Sequence, residues 1–309
     1  MIKLIRHCHL AEMSPCVATI GNFDGLHLGH FQLIEKMLKR AQALSLLPTV
    51  MTFEPLPQTL LRPEIQLLRL LSFRQKLRLL EKWGIKQVVC LRFNQKLARL
   101  SPLAFIEEYL INRINMRYLR VGEDFRFGHR QEGNIETLYQ ASTRFNFGIE
   151  PISLLQAKEL KVSSTQIRRS LLEGELKTAS ALLGRHYSII GRVIKGDQRG
   201  RTLDFPTANL AVKADNLIKG VFASWVQVGE EVYQGVTNVG TRPTVDGKKR
   251  LIEVHLLDYA GDLYGKRIAV EFLHKLRDEK RFENIEALKQ QIAQDILQAK
   301  EWLAVSVAV

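Results

Sequence analysis

Residues 16–53 read CVATIGNFDGLHLGHFQLIEKMLKRAQALSLLPTVMTF, and the fold is decided there. The stretch opens with a β-branched apolar run, breaks at a glycine-bearing turn, continues with apolar residues at helical spacing, and closes in a second β-rich run, PTVMTF. Strand, turn, helix, strand in that order is the unit of a parallel sheet whose crossover helix covers one face. Outward from it, SFRQKLRLLEKW (72–83) predicts a helix with Phe73, Leu77 and Leu80 on one face and a stop at Gly84. KQVVCLRF (86–93) and MRYLRVG (116–122) predict further strands, and Ser101-Pro102 is an N-cap and first-turn pair opening another helix. The expectation is an α/β, doubly wound first domain.

After SSTQIRRSLLEGELKTASALLG (163–184) the pattern changes. Short alternating runs, YSIIGRVI, FASWVQVG, EVYQGVTNVG, IEVHLLD and RIAVEFL, are separated by Gly and Pro turns, which fits a small antiparallel barrel or a sandwich. Ile285, Leu288, Ile292, Ile296, Ala299 and Leu303 recur at steps of three and four and predict one closing helix. The expected division is residues 1–184 and 185–309.

The 309 residues, 46% apolar and 25% charged, exclude a disordered or fibrous chain. No run approaches the ~18 apolar residues a membrane helix needs, and the first residues lack the apolar block of a secretory signal. Cys8, Cys16 and Cys90, odd in number and without a CxxC pair, suit a reducing compartment, so a cytoplasmic protein is expected. The net charge of +13 favours polyanionic partners. It is concentrated in residues 1–184, and Arg62 to Arg99 carries ten basic residues against Glu64 and Glu81 alone. That run is either a set of solvated helix faces or a docking surface for a polyanion.

Two segments carry candidate phosphate chemistry. In IGNFDGLHLGH (20–30) a strand end meets a helix N-terminus, whose unpaired amides and dipole attract phosphate oxygens. Gly25 and Gly29 allow close backbone approach after Asp24, and His27 and His30, three apart, share one helix face. Their imidazoles can donate to charge that develops when a nucleophile attacks the α-phosphorus of ATP. Neither a GxGxxG fingerprint nor a Walker loop occurs. Ser163, Ser164 and Thr165, with Arg168 one turn on, form either a second phosphate cradle or an ordinary helix cap.

Together with TFEP (52–55) and GEDFRFG (122–128), these segments resemble the HxGH nucleotidyltransferases, and among them the adenylyltransferase half of the bifunctional riboflavin kinase/FAD synthetase family. The resemblance implies a Rossmann-like domain in which Gly21, Phe23, Asp24, Gly29, Ser163, Ser164, Thr165 and Arg168 bind ATP and Asp124 and Phe127 line a flavin site. Phe127 is otherwise read as core packing. The sequence departs from that family at Leu56, at Gln131 and Glu132 before Gly133, and at Asp204.

In GRVIKGDQRGRTLDFPTAN (191–209), glycines and basic side chains form a loop able to close over phosphates. The Thr207 hydroxyl and Asn209 carbonyl are hard oxygen donors suited to Mg²⁺, unless Pro206 to Asn209 is only a turn between strands. Glu253 alternates with Ile252 and Val254 on a strand. Pointing inward it would be a desolvated carboxylate able to act as a base; pointing outward, an exposed strand glutamate. GRTLDFPTAN, NVGTRPT, EVHLLD, DLYG and LRDEKRF follow the order found in the riboflavin kinase domain of the same family. That resemblance implies a six-stranded barrel with a C-terminal helix, Mg²⁺-ATP held by Thr207 and Asn209 under the Gly196, Gly200 and Arg201 loop, and Glu253 as base on the ribityl 5′-hydroxyl.

The expected function is ATP-dependent phosphorylation of riboflavin to FMN, followed by adenylylation of FMN to FAD with release of pyrophosphate. The expected partners are riboflavin, FMN and ATP, with no nucleic acid and no membrane, the protein being a monomer or a transient oligomer. Two alternatives remain at this level: a nucleic-acid-binding protein using the basic first half, and a nucleotidyltransferase acting on another phosphate ester beside a degenerate barrel.

Overall fold

The computed structural model describes residues 2–6, 13–153, 156–157, 160–196, 205–211, 217–244 and 247–306. The chain divides into two compact units, residues 1–67 with 71–164, and residues 68–70 with 165–309.

The first unit is built on six parallel strands: β1 (Lys3–Ile5), β2 (Cys16–Ile20), β3 (Leu47–Glu54), β4 (Gln87–Arg92), β5 (Met116–Gly122) and β6 (Gly148–Ile152), in the order β1-β4-β3-β2-β5-β6. Helix α1 (Leu28–Ala43) crosses from β2 to β3 and buries Leu33, Ile34, Met37 and Ala41, the helical stripe its sequence predicts. Short helices α2 (Pro57–Leu61), α4 (Gln95–Ala98) and α5 (Pro102–Phe105) and the longer α3 (Phe73–Lys82) and α6 (Ile135–Phe145) complete the layers. Ser101 caps α5 as expected, its Oγ accepting from the Ala104 N–H. After four residues the helix widens into a π turn over Ile106–Ile111. One sheet face packs Ala18, Ile20, Met51, Leu119 and Val121, the other Val17, Val50 and Val88 against α1 and α3. Neither β1 nor β6 is predicted by the sequence: β1 is three residues long, and β6 holds Pro151, which reads as a break. The order turns around between β2 and β5, the place where open α/β sheets bind ligands outside the carboxyl ends of their strands.

A two-stranded hairpin, β7 (Gln156–Ala157) with β8 (Leu160–Lys161), precedes α7 (Ser164–Leu172) and α8 (Leu176–Leu183), which Gly184 ends at φ 71°. The second unit then closes β9 (Tyr187–Ile194), β10 (Ala208–Ala211), β11 (Gly220–Val228), β12 (Glu231–Thr244), β13 (Gly247–Leu256) and β14 (Arg267–Arg277) into a barrel, β10-β13-β12-β11-β14-β9. The lumen packs Phe222, Ile252, Val254, Val270 and Phe272, all fully buried, beside the buried hydroxyl pair of Ser224 and Thr237 at 2.7 Å. The C-terminal helix α9 (Ile285–Ser306) seats Ala299 and Leu303 on the outer face, against Val221, Ala223, Val236 and Leu273. Ile285, expected on the packed stripe, is instead 58% exposed, because only the later turns of α9 reach the barrel. Buried Asp295 takes a bidentate pair from Arg277, Nε to Oδ1 at 2.8 Å and Nη2 to Oδ2 at 2.7 Å, tying α9 to β14.

Candidate active sites

His27 is the N-cap of α1. Its Nδ1 accepts the His30 N–H at 3.3 Å, and His30 Nδ1 accepts the His27 N–H at 3.4 Å. This is a capping box in which two imidazoles replace the usual hydroxyl and carboxylate. The rings stack with centroids 3.6 Å apart, and Phe23 meets His30 edge-on at 5.1 Å. A nitrogen that accepts carries no proton, so each neutral ring holds its proton on Nε2, as a donor.

The turn carrying these histidines is strained. Phe23 and Leu26 lie at φ 46° and 44°, a region costing roughly 1–3 kcal/mol for such residues, with Gly25 between them at φ 87°. Burial of both side chains pays for it, since Phe23 is 1% and Leu26 0% exposed. Phe23 is therefore a core residue backing His30. Asp24 is buried, and its carbonyl accepts the Ser164 Oγ–H at 2.7 Å, which joins the two serine- and histidine-bearing segments within the first unit. A Cβ on Gly21 would come within 3.3 Å of the Phe23 ring, and one on Gly29 within 3.3 Å of the His27 ring. Ser163 and Ser164 are half-buried, while Thr165 and Arg168 fall in the second unit, where Arg168 Nε donates to the Leu68 carbonyl at 2.7 Å.

Beside the carboxyl ends of β2, β3 and β5 opens a cavity of about 750 Å³. Gly21 and Asn22 line it at the strand end, Phe53, Phe93, Phe105, Phe125 and Phe127 form aromatic walls, and Asp124, Arg99, Arg126 and Arg130 supply charge. Phe125 and Phe127 stack at 5.4 Å, and Phe53 meets Phe93 edge-on at 5.8 Å. Phe127 is both a buried core residue and a wall of this cavity. Arg130 and Gln131 sit at φ 48° and 62°, held by the His129 N–H to the Leu100 carbonyl at 2.7 Å and by the Phe127–Gly133 bridge. Leu56 is 3% exposed at the start of α2.

In the barrel, Glu253 does not enter the lumen, which its neighbours Ile252 and Val254 fill. It lies half-buried on the outer face, directly across from Asn209 of β10 on one side and Asn238 of β12 on the other. Residues paired in this way point to one side of a sheet, so the carboxylate is flanked by two carboxamides. Asn209 is 7% exposed, and a Cβ at Gly196 would collide with its side chain. Thr207 is exposed and, with Ala208, Val254 and Leu256, lines a cavity of about 400 Å³ bounded by Tyr259, Asp262 and Tyr264. His255 Nδ1 lies 2.9 Å from the Pro206 carbonyl. A carbonyl only accepts, so this ring carries its proton on Nδ1 and anchors the segment entering β10. Sequence reading missed Asn238 and His255, because only strand register reveals them. Gly200, Arg201 and Asp204 lie outside the described residues. Among the described residues no cluster of three or more His, Cys, Asp or Glu forms a metal site. The Thr207 hydroxyl just before β10 and the Asn209 carboxamide oxygen on it are hard, neutral donors, which fits Mg²⁺ completed by phosphate oxygens and water.

A parallel sheet with an imidazole-capped helix at its switch point, followed by a closed barrel with a polar row on its outer face, defines a two-unit nucleotide-dependent transferase. Comparison with known proteins names the family. The FAD synthetase family model matches residues 9–166 and the riboflavin kinase model residues 183–303. The bifunctional riboflavin kinase/FMN adenylyltransferase of Escherichia coli (strain K12) is 41% identical over 310 residues, covering 99% of each chain. That of Haemophilus influenzae is 39% identical, covering 97% of this chain and 98% of its own. A solved structure described as a macrolide-efflux protein from Streptococcus pneumoniae superposes with a TM-score of 0.88 at 29% identity, covering 97% of this chain and 100% of that one. Among the described residues no helix is long and apolar enough to cross a membrane. The chain belongs to the bifunctional riboflavin kinase/FMN adenylyltransferase family. It uses ATP to convert riboflavin to FMN and FMN to FAD.

Proposed function

We propose that the two reactions are divided between the two constellations, with residues 1–184 carrying adenylyl transfer and residues 185–309 carrying the kinase. The start of the riboflavin kinase match at residue 183 supports this division.

In the first reaction centre, ATP lies against the α1 N-terminus, in contact with Gly21, Asp24, Gly29, Ser163, Ser164, Thr165 and Arg168, while Phe23 backs His30. The FMN phosphate oxygen attacks the α-phosphorus and pyrophosphate leaves. His27 and His30 donate Nε2–H to the charge that builds on the phosphoryl oxygens and form no covalent bond. The flavin ring occupies the aromatic cavity beside Phe127, with Asp124 at its rim. The tautomer imposed by the reciprocal cap is the observation that carries this assignment.

In the second, Glu253 takes the proton from the ribityl 5′-hydroxyl, whose oxygen attacks the γ-phosphorus of ATP, and ADP leaves. Thr207 and Asn209 would hold Mg²⁺, with Gly196, Gly200 and Arg201 assigned to the ATP phosphates. Bound there, the ion supplies charge neutralisation for the phosphates being transferred. The register that pairs Asn209 with Glu253 supports putting the metal donors and the base in one site. We further propose a cytoplasmic enzyme, monomeric or transiently oligomeric, that works without nucleic acid or membrane.

The test is to incubate the purified chain with riboflavin, ATP and Mg²⁺ and to separate the flavins over time. FMN should appear first and FAD after it, and a chelator should stop FMN formation. If Glu253→Gln and His27→Ala each depressed both steps equally, the division into two sites would be wrong.

A further inference from the structure

The ten basic residues between Arg62 and Arg99 do not share one environment. Arg62, Arg74, Arg78, Lys82, Lys86, Arg92, Lys96 and Arg99 are exposed, but Lys76 on α3 is only 3% exposed. Lysine is among the residues least often buried, because an ammonium taken out of water loses hydration that must be replaced. A leucine or methionine would fill the same space against the sheet without that loss, so packing alone does not account for a lysine.

Its nitrogen shows what the charge does. Lys76 Nζ donates to the Asn22 carbonyl at 2.6 Å and to Thr52 Oγ1 at 3.3 Å, and the Thr52 hydroxyl in turn donates to the same Asn22 carbonyl at 3.3 Å. Two donors from α3 and β3 thus converge on one backbone oxygen. Asn22 is the residue immediately before the strained turn, in which Phe23, Gly25 and Leu26 all take positive φ. On its other flank the turn is held by Ser164 Oγ on the Asp24 carbonyl at 2.7 Å. Gly21 and Asn22 also line the aromatic cavity, so this clamp sits where the turn and the cavity share a wall.

We propose that Lys76 is a positioning residue for adenylyl transfer: its buried ammonium clamps the Asn22 carbonyl and so holds the strained turn that presents His27 and His30. The inference rests on the assignment of those histidines to adenylyl transfer. Misplacing a catalytic group by about 1 Å can cost on the order of 10²-fold, without loss of substrate binding. Charge-assisted hydrogen bonds are about twice as strong as neutral ones, which is why an ammonium suits a clamp against backbone strain better than a hydroxyl alone.

The experiment uses the full chain and follows FAD formation from FMN and FMN formation from riboflavin in parallel. Lys76→Met should lower the adenylylation kcat by roughly 30- to 100-fold, with KM for ATP and FMN within about threefold of the parent and kinase turnover unchanged. Lys76→Arg, which keeps the charge, should recover part of the loss. Thr52→Val, which removes the weaker donor, should give the same kcat-only defect at about three- to tenfold. Adenylylation by Lys76→Met within threefold of the parent would overturn the proposal, as would kinase and adenylylation falling together in Lys76→Met while Thr52→Val stays at parental rates. His27→Asn and His30→Asn separate the two readings. If they leave adenylylation intact, the histidine assignment fails; if they abolish it while Lys76→Met does not, the clamp alone fails.

Discussion

His27 and His30 cap one helix for each other. Each ring accepts the partner's backbone N–H through Nδ1, and the two rings stack at 3.6 Å. The two roles proposed for the pair are therefore separable: one nitrogen of each ring caps the helix, and the other would donate to substrate.

That separation can be measured. His27→Asn keeps an oxygen that caps a helix well, whereas His27→Ala leaves the α1 terminus uncapped at a cost of ~1 kcal/mol. Both variants should lose adenylylation by about 10²-fold or more, as should His30→Ala, since all remove an Nε2–H donor. Only the alanine variants should lower the melting temperature, and FMN formation from riboflavin should persist in all three.

Glu253→Gln should lower FMN formation by roughly 10²- to 10⁴-fold, the loss expected when a general base is removed. FAD formation from supplied FMN should survive. Separate assays on the same preparation check both, and equal losses would count against Glu253 as the base.

Asp295→Ala should be one of the most destabilising changes in the barrel unit. It strips a 2% exposed carboxylate from Arg277, leaving a partly buried guanidinium without its bidentate partner, a change of about 3 kcal/mol or more. Chemical denaturation should show an earlier transition for the kinase activity than in the parent.

The Glu150 carboxyl gives a pH dependence. Burial works against its ionised form, but the Tyr118 hydroxyl at 2.9 Å and the Arg120 and Arg40 guanidinium groups outweigh it and hold the group below the ordinary glutamate range. Its contribution to stability is complete above its unfolded value of ~4.3 and is lost as pH falls through the lower folded value. Because Glu150 is 41% exposed, that contribution is below about 1 kcal/mol. Glu150→Gln should unfold slightly earlier than the parent at neutral pH, and the gap should narrow as pH falls below ~4.3 and through the lower folded value.

What the sequence revealed follows from range. The β2-α1-β3 unit and the histidine turn are written in contiguous residues, so periodicity and spacing suffice to read them. The strands β9 to β14 were legible as alternation, except β10, whose four residues sit inside a segment that also reads as a turn. Register is a long-range property. Nothing near Glu253 announces that Asn209 and Asn238 flank it, and nothing near Pro206 points to His255. Lys76 escaped for the opposite reason: helical periodicity assigns charged positions to solvent, and at Lys76 a strained turn elsewhere in the chain overrides that assignment.

The closed barrel has one further consequence. Each of its strands has a neighbour on both sides, so among the described residues the barrel leaves a rim only where β12 and β13 run on past β11 and β10. In the parallel sheet the two outer strands are β1, three residues long, and β6, where Pro151 removes a donor. Long, flat edges on which a foreign strand could zip are thus scarce among the described residues, which is protection against runaway sheet growth.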